Sequence, residues 1–376
     1  MGFVLYDTAE RRKLFPLTYT RAVADLRIGI FTLKEWWEKL LQQEVFIKTE
    51  EYLQSLYSPV PQGDHIYINA SVLPSVELVS KISKLKAGEV IKDEKGLIAF
   101  SGSENGKPVT VSSQKRVEYP WHIFQLNDEV LRSQFLLVTK EKFGVQTAES
   151  THLINASEVF IEEGCSIEHA VLNASTGPIY IGKNVTIMEG SFIRGPFALG
   201  EGSVVKMGTK IYGATTAGPH CVLGGEIRSS VIMGYSNKAH DGYLGHAVIG
   251  EWCNLGAGTS NSNLKNTAGD ICMNDFEQSS NEMVGNKCGV IIGDYTRTAI
   301  NSSINTGSMF GICCNVFGEY LLPKHLPNFS WGTAEKSNYD PQKALRDIRN
   351  WKNLKGKELS SAEENVLTYI FEHFKS

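Results

Sequence analysis

From Ile181 an aliphatic residue recurs every six positions, at Ile187, Ile193, Leu199, Val205 and Ile211. Helices repeat at about 3.6 residues and strands at 2, so neither gives this spacing. Four places after five of these six residues stand Val185, Ser191, Ser203, Thr209 and Thr215, small enough to share the same interior. A period of six predicts a parallel β-helix of hexapeptides, in which three hexads close one triangular coil around a continuous aliphatic column. The frame extends upstream through Ile161, Ile167 and Ile179, with slips that read as loops leaving a corner. Downstream it runs through Leu223, Val231, Tyr243, Ile249, Leu255, Ile292, Ile304, Phe310 and Val316. A sandwich of short strands would alternate at period two instead. One solenoid is expected over about residues 155–320.

The flanks have another texture. Phe3–Tyr6, Val45–Ile47 and His65–Ile68 are short apolar runs suited to strands. Thr32 and Glu35 have capping-box spacing and open an amphipathic helix through Trp36, Trp37, Leu40 and Leu41. Strands alternating with helices predict an α/β layer. After Pro323 and Pro327 the period stops. Asp340 before Pro341 starts a helix, and Ser361 with Glu364 marks another, expected to pack on the end or flank of the solenoid. The expected division is 1–150, 151–322 and 323–376.

A chain of 376 residues has room for two or three domains, and its 35 glycines suit the tight corners of a solenoid. The net charge of −4 gives no basic bias, which argues against nucleic acid as a partner. The seven cysteines all lie in the solenoid region without a CxxC pair, and read as small buried residues of a reducing compartment rather than as disulfides or a zinc site. Neither a signal peptide nor a membrane span is expected, which leaves a cytoplasmic protein.

Most of the chemistry lies in residues 234–246, GYSNKAHDGYLGH, and in residues 247–259, AVIGEWCNLGAGT. This stretch resembles the acetyltransferase half of the bifunctional enzymes that make UDP-N-acetylglucosamine, a glucosamine-1-phosphate N-acetyltransferase joined to a uridylyltransferase. The resemblance implies a left-handed β-helix, a homotrimer, acetyl-CoA as co-substrate bound between subunits, and His240 as general base. It further implies substrate contacts from Arg228, Tyr243, Asn254 and Asn263, a backbone amide at Ala257 facing the reacting carbonyl, and a phosphate contact from Lys210. Arg228 stands where the family has Lys, His246 where it has Asp, and Leu264 where it has Tyr. A further family Lys falls on Gly269, with Lys265 close by.

The residue types fit that chemistry. An aminosugar is largely an ammonium ion at neutral pH, so acyl transfer needs a base poised near 7, and imidazole qualifies without a large shift. The oxyanion formed on the thioester carbonyl calls for a fixed N–H such as that of Ala257. A sugar phosphate calls for Arg228 and Lys210. The plainer alternatives are a corner His240 bonded to Asp241, solvated charges at Arg228 and Lys210, and an asparagine ladder of Asn261 and Asn263 inside the coil.

The run from Pro16 to Ile30, PLTYTRAVADLRIGI, resembles a variant sugar-nucleotidyltransferase-like domain that precedes such solenoids. Nucleotidyl transfer needs a glycine-rich loop, cations for the phosphates and carboxylates for Mg²⁺. After the first strand comes Asp7–Arg12 without a glycine, and Asn69 stands where the family has a metal-binding Asp. Mg²⁺ is therefore expected only if this domain is active. Arg21, Asp25 and Arg27 are candidates for a nucleotide or phosphate site, or else pair among themselves.

Three functions follow. The first is acetylation of an aminosugar phosphate or nucleotide aminosugar. The second is sugar-1-phosphate nucleotidyl transfer, with the solenoid as trimerisation module. The third is a non-catalytic sugar-nucleotide scaffold. A zinc carbonic anhydrase needs three converging histidines, which the spacing of His220, His240 and His246 does not favour. The sugar, the nucleotide, the acyl group and the role of residues 267–289, a lid or a strap to a neighbour, stay open.

Overall fold

The aliphatic column forms as the hexads require. Ile181, Ile187, Ile193, Leu199, Val205 and Ile211 are each at most 1% exposed, and Val185, Ser191, Ser203, Thr209 and Thr215 are fully buried beside them. The molecule is a computed structural model that describes residues 2–374 except 141–143, 145–146, 278 and 334–337. Its strands stack in parallel on three faces, in sheets of nine, eight and six strands. Ile181 pairs with Leu199, Ile187 with Val205 and Ile193 with Ile211, so one coil is three hexads long. Corners in the left-handed backbone region are held by Asn184, His220, His246 and Asn301 as well as by glycine.

Three details depart from the sequence frame, the first being that Ile232 joins the column while Val231 packs outside it. Tyr243 faces outward and its neighbour Leu244 enters the column, 1% exposed. On the preceding face of the same coil Lys238 pairs with Leu223 of the coil before, so the interior position there is a lysine, also 1% exposed.

The N-terminal sheet has the strand order Val45–Lys48, Gly2–Tyr6, His65–Asn69, Gly96–Ser101, Glu89–Asp93, Lys107–Thr110. Its first three strands are parallel. Thr32 and Glu35 form the expected capping box on helix Leu33–Leu41. The long helix Pro120–Thr139 joins this layer to the solenoid: buried Asn127 accepts from Gly29 N at 2.8 Å and donates to Ala214 O at 3.0 Å.

The stretch from 267 to 289 forms a hairpin, Ile271–Asn274 with Asn281–Gly285. It is a strap within the chain rather than a lid. Tyr119 Oη donates to Glu282 at 2.9 Å, Gln125 Nε2 to Val284 O at 2.9 Å, and Arg12 pairs with Glu277 at 2.7 Å.

Asp340 caps helix Pro341–Leu354 through Lys343 N. The next helix, Ser361–His373, has its capping box at Ser360 and Glu363, one residue before the pair expected from sequence. Both lie on the solenoid flank. Lys355 Nζ donates to His220 O at 2.6 Å and Asn237 Oδ1 at 2.9 Å, while Tyr369 stacks on Tyr52 of the N-terminal layer at 4.6 Å.

Candidate functional site

His240 sits on the corner between the eight-stranded and six-stranded faces, and Ala257 occupies the same corner one coil on. Gly258 N donates to Asp241 O at 3.0 Å, which fixes the two turns above one another. The His240 ring is exposed and has no hydrogen-bond partner among the described residues, Asp241 included. Beneath it lies Lys238, whose ammonium donates inside the coil to the carbonyls of His240 at 2.5 Å, Gly224 at 3.3 Å and Asp241 at 3.4 Å. Burial pushes that ammonium down to about 8. Hydrophobic patterning passes over Lys238 because its charge disguises an interior position; the register with Leu223 reveals it.

The six-stranded face beside this corner carries a continuous polar chain. Strand pairing sets Lys210 beside Glu226, Tyr212 beside Arg228, and Glu226 beside Tyr243. Tyr212 Oη donates to Glu226 at 2.6 Å, and the Arg228 guanidinium lies over the Tyr212 ring at 5.4 Å. Asn263 Nδ2 reaches Tyr243 Oη at 3.0 Å and His246 Nδ1 at 2.7 Å. Phe124 of the long helix meets the His246 ring edge to face at 5.8 Å. Burial, with the charges of Arg228 and Lys287 added, pushes His246 down to about 4. The imidazole is therefore neutral at pH 7, and accepting at Nδ1 leaves its proton on Nε2.

Other sequence candidates fall elsewhere. Asn254 lies on the eight-stranded face, where its Oδ1 accepts from Asn237 Nδ2 at 3.3 Å, so one chain alone does not bring it to Tyr243. Lys265 turns away to the carbonyl of Asp270. Lys210 is exposed on the six-stranded face, without an ion pair among the described residues. The asparagines divide: Asn261 is buried and bonds Gly245 N and O inside the coil, whereas Asn263 faces out.

Arg21, Asp25 and Arg27 do not pair with one another. Arg21 is buried against two solenoid carboxylates, Asp294 and, at 3.2 Å, Glu251. Asp25 accepts from Tyr57 Oη at 2.6 Å, and Arg27 faces Glu35 at 3.5 Å. Arg21 and Asp25 line a cavity of about 300 Å³ between the N-terminal layer, the solenoid and helix Ser361–His373.

A larger cavity of about 470 Å³ opens at the carboxyl ends of strands Gly2–Tyr6 and His65–Asn69, among Asp7, Arg11, Asn69, Lys95 and Arg116. The chain crosses from one side of the first strand to the other here, the switch point where open α/β sheets take ligands. Its groups are already engaged. Asp7 accepts from Val23 N, Thr49 Oγ1 and Arg11, and Asn69 Oδ1 accepts from Ser71 N and Oγ. Arg116 is bound to both oxygens of Asp93 at 2.7 and 2.8 Å. Neither Asp7 nor Asn69 presents free oxygens to a cation, so these residues do not fit Mg²⁺.

Residues 3–143 match the family described as sugar nucleotidyl transferase. The match covers the sheet, its helices and the switch-point cavity, as the sequence resemblance implied. Curated relatives include the bifunctional protein GlmU of Methanocaldococcus jannaschii, 32% identical over 101 residues, 27% of this chain and 24% of that protein. GlmU of a Picosynechococcus strain is 29% identical over 160 residues, 40% of this chain and 29% of that protein. A bifunctional sugar-1-phosphate nucleotidylyltransferase/acetyltransferase of Sulfurisphaera tokodaii is 34% identical over 92 residues, 24% of this chain and 23% of that protein. The matches thus span less than a third of each relative. Among solved structures, an Arabidopsis UDP-N-acetylglucosamine acyltransferase aligns at a TM-score of 0.29 and 14% identity, over 61% of this chain and 90% of that one. Among the described residues no helix is long and apolar enough to cross a membrane.

Proposed function

We propose that the protein is a transferase of sugar-nucleotide metabolism that acetylates the amine of an aminosugar phosphate or nucleotide aminosugar, using acetyl-CoA. The observation that carries this reading is the corner where the turn of Ala257 follows that of His240 one coil on, tied by Gly258 N to Asp241 O, with Tyr243 and Asn263 joined on the face beside it. The His240 imidazole takes a proton from the amine as its nitrogen attacks the thioester carbonyl. A C–N bond forms, the C–S bond breaks, and the CoA thiolate leaves and recovers the proton. The Ala257 amide is the donor for the oxyanion between these events. Because the His240 ring is open to solvent in one chain, the reading needs a second subunit to wall the groove, in keeping with a homotrimer that also brings Asn254 into play. The bifunctional names of the relatives support the same assignment.

The test is acetyl-CoA turnover with glucosamine-1-phosphate and with UDP-linked aminosugars. His240→Ala is expected to lower kcat by about 10²-fold or more, the contribution of a positioned base. Equal turnover by wild type and variant would sink the mechanism.

The switch-point cavity favours a second reading, in which the N-terminal layer binds a sugar nucleotide or transfers a nucleotidyl group. The engagement of Asp7 and Asn69 argues for binding over catalysis. Pyrophosphate release from UTP or dTTP with a sugar phosphate would overturn that preference.

A further inference from the structure

The cavity behind Arg21 is bounded by all three parts of the chain. Asp25 and Tyr57 come from the N-terminal layer, Glu251 and Tyr295 from turns of the solenoid, and Val366 and Leu367 from helix Ser361–His373. At about 300 Å³ it stands at the small end of the range that takes a metabolite.

Its charges do not balance. Asp25, Glu251, Asp294 and Glu363 line it, against Arg21 as the one cation of the lining. Asp294 is fully engaged: it accepts from Glu251 N at 2.7 Å, from Thr20 Oγ1 and from Arg21. Glu363 has Lys352 at 2.5 Å. That leaves two acids. Among the described residues the Asp25 side chain accepts only from the neutral Tyr57 hydroxyl, at 2.6 Å, and Glu251 has only a share of the Arg21 guanidinium, at 3.2 Å. The next cations, Lys34 and Arg27, are held by Glu38 and Glu35. Burial pushes the carboxyls of Asp25 and Glu251 up.

A buried hydroxyl points the same way. Tyr295 lines the cavity, is 6% exposed, and its Oη has no hydrogen-bond partner among the described residues. Buried polar groups are almost always paired, so this one calls for a partner in the space it borders. No three Asp, Glu, His or Cys side chains among the described residues are placed to hold a metal ion. Two carboxylates, a hydroxyl and the apolar wall of Leu56, Val366 and Leu367 suit instead an ammonium on a small carbon body.

We propose that this cavity binds a small primary amine, an aminosugar or an alkyl diamine, whose ammonium neutralises Asp25 and Glu251 and whose body meets Tyr295 and the apolar wall. The site is separate from the acyl-transfer corner and does not depend on that reading. Because its lining comes from three parts of the chain, its occupant ties the N-terminal layer and the C-terminal helix to the solenoid.

The experiment is titration calorimetry on the full chain with glucosamine, with putrescine and, as the uncharged control, with glucose. Wild type is expected to bind at least one amine and not glucose. Glucosamine alone identifies an aminosugar as the occupant, putrescine alone a diamine, and both the ammonium as what they share. Glu251→Gln removes one charge at constant shape and should weaken that binding about tenfold or more, as for a lost charge-assisted contact. Glucosamine held at the acyl-transfer corner would bind this variant as well as wild type. Equal affinity in wild type and Glu251→Gln, glucose bound as tightly as the amines, or no binding of either amine would overturn the site. Should Glu251→Gln fail to fold, Tyr295→Phe decides in the same way.

Discussion

The ammonium of Lys238, inside the coil, holds the carbonyl oxygen of His240, on its surface. A charge buried at the position where the adjacent coils place Leu223 and Leu255 is costly unless it is fully bonded, and here three carbonyls bond it. The lysine therefore fixes the turn on which the proposed base rides.

Replacing Lys238 with methionine should separate fold from function. The desolvation cost of the ammonium is lost, but its carbonyl acceptors lose a donor, so the melting temperature is expected to fall while the protein still folds. The His240 turn loses its anchor, and a base displaced by an ångström lowers kcat by roughly a hundredfold. A kcat equal to wild type in a folded Lys238→Met protein would remove the positioning role.

Asn261 offers a stability test inside the same coils. Its side chain, 3% exposed, accepts from Gly245 N at 2.8 Å and donates to Gly245 O at 3.0 Å. Asn261→Ala strands both backbone groups, at a cost of ~1–3 kcal/mol for each. Urea denaturation should show the midpoint fall; an unchanged midpoint would mean that water or a backbone shift replaces the amide.

The solenoid was legible because its interior admits little but aliphatic and small residues, so Ile181 to Ile211 write their period openly. The slip near Tyr243 was not, because Lys238 breaks the apolar signal where the coils have become shorter than 18 residues. In the candidate site, Tyr243 lies in the motif and Asn263 four residues beyond it, and folding brings their side chains to 3.0 Å, whereas the His240 ring stays apart on its corner. Arg21 did not yield its partner, since Asp294 lies 273 residues away and only folding brings them together.

The Arg21 cluster should behave as a buried ion pair. Its guanidinium faces Glu251 and Asp294, with the Arg21 and Asp294 side chains 8% and 3% exposed. Arg21→Ala leaves two carboxylates without their cation, and is expected to lose ~3–5 kcal/mol. The double variant Arg21→Ala with Asp294→Ala should lose less than the sum of the singles. Strict additivity in denaturant unfolding would show the pair to be uncoupled.

His246 should make the fold sensitive to acid in a defined window. In the unfolded chain its imidazole takes up a proton near pH 6.5, whereas the folded site holds off to about 4, because burial and then Arg228 and Lys287 disfavour the charge. Between these values the unfolded state binds more protons, so stability falls as pH drops from 6.5 toward 4. Above 6.5 both states are neutral, and the residue adds no pH dependence. His246→Gln keeps an amide able to meet Asn263 but removes the titration. Its melting temperature is expected to fall less than that of wild type between pH 7 and pH 5, and equal falls would mean that the folded imidazole takes up its proton at its ordinary pH.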